Sequence, residues 1–165
     1  PLSDGEIDGF LHDGYVKIEG ALDENVRREW LAHGYARLGI DPDDRATWHV
    51  DRVHMGGEAH APVAEIAPRA MAAAEQLLGG ADRVKPNWHW SDHFIVNLGE
   101  RHDQPWAPAS PDVPGWHKDG DFFRHFLDSP EQGLLTIVLW TDVVHRGGPT
   151  FVANDSVAPI ARFLA

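Results

Sequence analysis

A histidine and an aspartate two residues apart stand in the segment Gly115-Trp116-His117-Lys118-Asp119-Gly120. Residues i and i+2 of an extended chain face the same side, so an imidazole and a carboxylate at this spacing can bond one metal ion. Joined by a second imidazole from elsewhere, such a pair makes the facial triad of non-haem Fe(II) oxygenases. That triad leaves one face of the iron open, for a cosubstrate and for O2.

The bare spacing carries little weight. With 11 His and 17 Asp among 165 residues, chance alone supplies about one His-x-Asp. A second copy, His49-Val50-Asp51, lies between polar stretches with no apolar run beside it. It is read as a decoy. His117 and Asp119 differ in context. A Pro/Gly-rich loop, Pro105 to Gly115, delivers them, and after a short polar insert an apolar, strand-like run follows, Leu134 to Val144. Binding residues concentrate on loops held by a rigid scaffold. Two other histidines are weaker candidates for a third ligand: His125, after Phe122-Phe123-Arg124, and His145, at the end of the strand-like run. His89 and His93 are read as sheet residues, and Asp121 and Asp142 as loop and strand-end charges.

Composition limits the alternatives. The length permits one domain, residues 1–165, with a real core. Apolar residues make up 42% and charged residues 24%, as in an ordinary globular chain. A net charge of −12 argues against a nucleic-acid partner, because phosphate binding needs the opposite sign. The absence of cysteine excludes disulfides, thiolate metal sites and cysteine nucleophiles. No apolar run approaches the ~18 residues of a membrane span, and no signal-peptide pattern opens the chain. The expectation is a cytoplasmic protein with no membrane partner.

The elements that must position the pair read as follows. Ser3-Asp4-Gly5-Glu6 fits a capping box ahead of a short helix. Asp13-Gly14 turns the chain, and Tyr15 to Ile18 alternates as a strand. Asp23 caps a longer helix containing Trp30 and Tyr35. Residues 41–62 are expected to form a loop. Val63 to Leu78 is an Ala-rich helix that Pro68 bends or delays, closed by Gly79-Gly80. From Trp88 to Leu98 the pattern becomes β, followed by the runs at 134–144 and 150–153. Asp155 or Ser156 opens a last helix with Pro159 in its first turn. The chain stops inside that apolar helical pattern and is expected to be a piece of a longer protein. Helices followed by antiparallel strands indicate an α+β fold.

Taken in order, these segments resemble the phytanoyl-CoA dioxygenase family. The resemblance rests on Ile7-Asp8-Gly9-Phe10-Leu11-His12-Asp13-Gly14-Tyr15-Val16, on His117-x-Asp119, on Leu139-Trp140-Thr141-Asp142, and on Gly147-Gly148-Pro149-Thr150-Phe151-Val152. It implies a double-stranded β-helix, a jelly-roll or cupin-like barrel with N-terminal helices on one face, using Fe(II) and 2-oxoglutarate to oxidise a small molecule with O2. His117 and Asp119 would be iron ligands, and Trp140 and Phe94 would line the cosubstrate pocket. The presence of Asp119 favours hydroxylation over halogenation. The family's second His and its 2-oxoglutarate-binding Arg are expected beyond Ala165, since Ala153-Asn154-Asp155-Ser156 stands where the family often has Pro-Gly-Ser-His. The rival is a non-catalytic cupin-like module that binds a metal or ligand without a complete triad. Trp140 alone is most simply a core residue.

Overall fold

The structure, a computed structural model, describes residues 1–99, 102–120, 122–126, 129 and 133–164. The chain divides into two compact units: Pro1 with Ile18–Pro105 and Leu139–Gly148, and Leu2–Lys17 with Trp106–Val138 and Pro149–Ala165.

The first unit is built on α2 (Glu24–Leu38), and its ends follow local chemistry. The Asp23 carboxylate accepts the backbone N–H groups of Asn25 and Val26 at 2.9 and 3.0 Å, satisfying donors the helix itself leaves open. Gly39 closes it in the left-handed region at φ 65°. The Ala-rich pattern after residue 62 forms two helices, α3 (Val63–Ile66) and α4 (Pro68–Leu78). The break is at Ala67, φ −146° and ψ 59°, because the proline ring disfavours helical geometry in the residue before it. Pro68 then serves as the first residue of α4.

Four short strands complete this unit: β1 (Arg52–His54), β2 (His60–Pro62), β3 (His89–Ser91) and β4 (Ile95–Asn97). β1 pairs antiparallel with β4, Val53 opposite Val96, and β2 pairs with β3, Ala61 opposite Trp90. Backbone bonds from Met55 to Phe94, from Asp92 to Ala59 and from Val63 to Trp88 extend both ladders along the same two segments. The segment 41–62, expected as a loop, therefore holds two strands. The paired residues stand 27 to 45 positions apart, so no local pattern announces them. The expected strand from Trp88 to Leu98 is split at Asp92–Phe94.

Trp30, Met55, Val63, Ile66, Ala67 and Phe94 form the core of the first unit. Trp140 stacks on Trp30 at 5.2 Å and meets Phe94 edge-on at 5.2 Å, geometries that aromatic quadrupoles favour. Gly34 lets α2 approach that cluster. A Cβ there would lie 2.7 Å from the Phe94 ring.

In the second unit, α1 (Asp4–Asp13) carries the expected capping box. Glu6 donates its backbone N–H to Ser3 Oγ at 3.3 Å, and Ser3 donates its own to Glu6 Oε2 at 2.8 Å. Gly14 ends the helix at φ 78°, and a Cβ on it would collide with Val157 at the start of α5 (Val157–Leu164). Among the described residues the runs at 15–18, 134–144 and 150–153 form no strand. An alternating sequence offers a face, but a strand also needs a partner's backbone groups, and here none is supplied. The architecture is α+β, with helices beside two small sheets and no closed barrel among the described residues.

Candidate functional site

His117 and Asp119 converge as their spacing predicts, although the segment is a turn rather than a strand. His117 Nε2 lies 3.4 Å from Asp119 Oδ1, with the side chains 61% and 56% exposed. The opposite ring nitrogen, Nδ1, faces the carbonyl of Gly115 at 2.8 Å. A carbonyl only accepts, so Nδ1 carries a hydrogen, and Nε2 is the ring nitrogen turned toward the carboxylate. Gly115 at φ 106° and Gly120 at φ 84° make the sharp turns on either side, which side chains with a Cβ rarely permit.

This arrangement fits a cation. Two donors each about 2.1 Å from one ion stand about 3.0 Å apart at right angles and about 3.4 Å apart at tetrahedral angles. Among the described residues no third His, Asp or Glu joins the pair to make a metal-holding group. Asp121 lies outside the described residues.

His117 also lines a cavity of about 320 Å³, whose other walls include His125, Phe126 and the α5 residues Val157, Ile160 and Leu164. This volume is at the lower end of the range of small-molecule sites.

The other two expected site residues come together elsewhere. Phe94 is buried and Trp140 half-buried in the aromatic core of the first unit, in contact with each other and, through Trp140, with Trp30. Their packing accounts for their burial without a ligand. The decoy His49 turns its Nδ1 to the carbonyl of Thr47 at 2.9 Å, and the backbone oxygen of Asp51 accepts from Leu98 at 2.8 Å. His89 lies on β3, with its Nδ1 turned to the carbonyl of Asn87 at 2.8 Å, and the His93 ring contacts Ser91 Oγ. His145 and Asp142 are exposed.

Sequence reasoning missed a polar cluster in the first unit. Asp92 is fully buried. Its Oδ1 accepts the backbone N–H groups of Glu58 and Ala59 at 2.6 and 2.9 Å, and its Oδ2 lies 3.2 Å from Arg37 and 3.5 Å from His33. Glu58 closes the ring, 3.1 Å from Arg37 and 3.6 Å from His33, and Arg37 donates to the carbonyl of Gly56 at 2.6 Å. Burial by itself would raise the Asp92 carboxyl. The two backbone donors, the Arg37 charge and His33 outweigh it and hold the group below its ordinary value. The carboxylate sits where the two ladders part and takes over the amides the interruption leaves open. A group so held is an anchor and not a proton donor. The available signal was a lone aspartate inside a strand-like aromatic run.

No helix among the described residues is long and apolar enough to cross a membrane. Comparison with known families, with curated proteins and with solved structures returned no match.

Proposed function

We propose that this chain belongs to an Fe(II)- and 2-oxoglutarate-dependent dioxygenase of the phytanoyl-CoA dioxygenase type that hydroxylates a small molecule. One observation carries the reading: His117 Nε2 and Asp119 Oδ1 face each other at 3.4 Å while Gly115 holds the far side of the ring. The two donors stand at the separation that one ion bonded to both would set, and the Gly115 carbonyl does what partners of metal-bound imidazoles do, fixing ring orientation. Bound iron with 2-oxoglutarate would supply the oxidation of a C–H bond by O2. The chain's own part is to present one neutral and one anionic donor, to keep the carboxylate where a halide would otherwise enter, and to offer the adjacent cavity as a place for substrate. A double-stranded β-helix belongs to this reading, as does a third protein ligand.

A second reading, a metal- or ligand-binding module without catalysis, is favoured by there being two donors rather than three among the described residues. Turnover separates the two. With Fe(II), 2-oxoglutarate and O2, the oxygenase forms succinate in step with oxygen consumed, and Asp119→Ala loses this by well over tenfold, since even outer partners of metal ligands are worth 10–100-fold. Iron binding with no succinate formed by the full-length protein would establish the binding module instead.

A further inference from the structure

Four Asp-Gly pairs stand in the chain: Asp4-Gly5, Asp8-Gly9, Asp13-Gly14 and Asp119-Gly120. At such a pair the backbone nitrogen of the glycine can attack the carboxyl carbon of the aspartate before it. Glycine has no Cβ, so the approach is open. Both groups belong to one five-membered ring in the making, so backbone geometry and not encounter limits the reaction. The fold treats the four pairs differently. Asp4, Asp8 and Asp13 lie in α1. There the following nitrogen is turned away from the side chain, and closing the ring requires ψ to leave the helical well. The Gly9 amide lies within the helix ladder, and the Gly14 amide donates to the Phe10 carbonyl at 2.8 Å. Asp119 and Gly120 lie in a turn, outside any helix or strand. The Gly120 amide meets no acceptor among the described residues. Gly120 is buried, which does not shield it, since the group it attacks belongs to the residue before it. The Asp119 side chain is 56% exposed, so water reaches the ring once it forms.

We infer that Asp119-Gly120 is a site of spontaneous aspartyl isomerisation. The Gly120 nitrogen bonds Asp119 Cγ, and its hydrogen and the carboxyl OH leave as water, giving a cyclic imide. Water then adds to either imide carbonyl and breaks its C–N bond, restoring aspartate or giving isoaspartate. One water leaves, one enters, no electrons are transferred and the mass is unchanged. In isoaspartate the main chain runs through Cγ. The backbone gains a methylene, and the carboxylate is attached directly to Cα. It thereby loses its place opposite His117 Nε2, and the pair is dismantled whatever it holds. This chemistry needs no metal and is independent of the oxygenase reading.

The test keeps the whole chain, with a chelator, at neutral pH and physiological temperature for weeks and then cleaves it with chymotrypsin. Electron-transfer fragmentation of the peptides distinguishes isoaspartate from aspartate at each site. In the folded chain isoaspartate forms at 119 at least about tenfold faster than at 8 or 13. In urea, where α1 no longer protects its pairs, the three rates converge. Asp119→Asn closes the same ring with loss of ammonia and gains isoaspartate faster than the wild type. Asp119→Glu, which would need a six-membered ring, forms no isomer at 119. Circular dichroism confirms that each variant retains the helices. No isoaspartate at 119 in the folded chain, equal rates there at 119 and 8, a ratio that urea leaves unchanged, or an Asp119→Asn variant that stays amidated would each overturn the inference.

Discussion

The two units of this chain differ in how their apolar residues are used. In the first, Trp30, Met55, Val63, Ile66 and Phe94 are buried around a paired, ordered backbone, and even the charge at Asp92 has its partners. In the second, Leu2 is the only buried hydrophobic residue among those described, while Phe122, Phe126, Leu135, Ile137, Phe151 and Phe163 are exposed. Composition does not separate them. What differs is whether a segment finds a partner for its backbone and its apolar face together. The candidate chemistry lies in the less consolidated unit, where binding sites are commonly found. The same kind of substitution should therefore have different consequences in each.

The largest contrast is expected at Asp92. Replacing it with Ala leaves the Glu58 and Ala59 amides and Arg37 without their buried acceptor and should cost about 3–5 kcal/mol in urea unfolding. Its contribution also depends on pH. The folded-state group is held below the ordinary value of 3.8, so its stabilisation is complete above that value and declines as pH falls through the depressed one. Asp92→Asn should flatten the acid limb of the stability profile, and an unchanged limb would remove Asp92 from the account.

Phe94→Ala comes next. It removes a buried ring that packs on Trp140 and fills the space opposite Gly34, and about 3–4 kcal/mol should be lost. Phe163→Ser in the second unit, at a site 88% exposed, should change stability by no more than about 0.5 kcal/mol. A comparable cost at the two positions, read by urea midpoints, would erase the contrast.

Two glycine substitutions sharpen it further, because they should differ in sign. Gly34→Ala places a methyl within 3 Å of the Phe94 ring and should destabilise by about 1–3 kcal/mol. Gly9→Ala in α1 meets nothing within 4 Å and should stabilise by about 0.5–1 kcal/mol through helix propensity. Thermal melts of the two variants measure both.

The contrast also marks what could be read from sequence. Ser3 with Glu6, Asp23 and Gly79 mark helix ends by local chemistry, and the helices they bound are present. β1 and β2 escaped because three-residue strands with distant partners leave no periodic signature. The runs at 134–144 and 150–153 misled in the opposite direction, since their alternation is real and pairing is a property of two segments. At the site, the shared face of His117 and Asp119 follows from a spacing of two. The Asp92 cluster does not, since His33, Arg37, Glu58 and Asp92 come from three separate segments with no common pattern.

The central claim is that His117 and Asp119 jointly hold a metal ion, and anaerobic Fe(II) titration of the whole chain tests it most directly. Wild type should bind one Fe(II), with affinity falling at least tenfold in both His117→Ala and Asp119→Ala and staying unchanged in His49→Ala. Equal affinity in the wild type and His117→Ala, or a loss confined to His49→Ala, would contradict it.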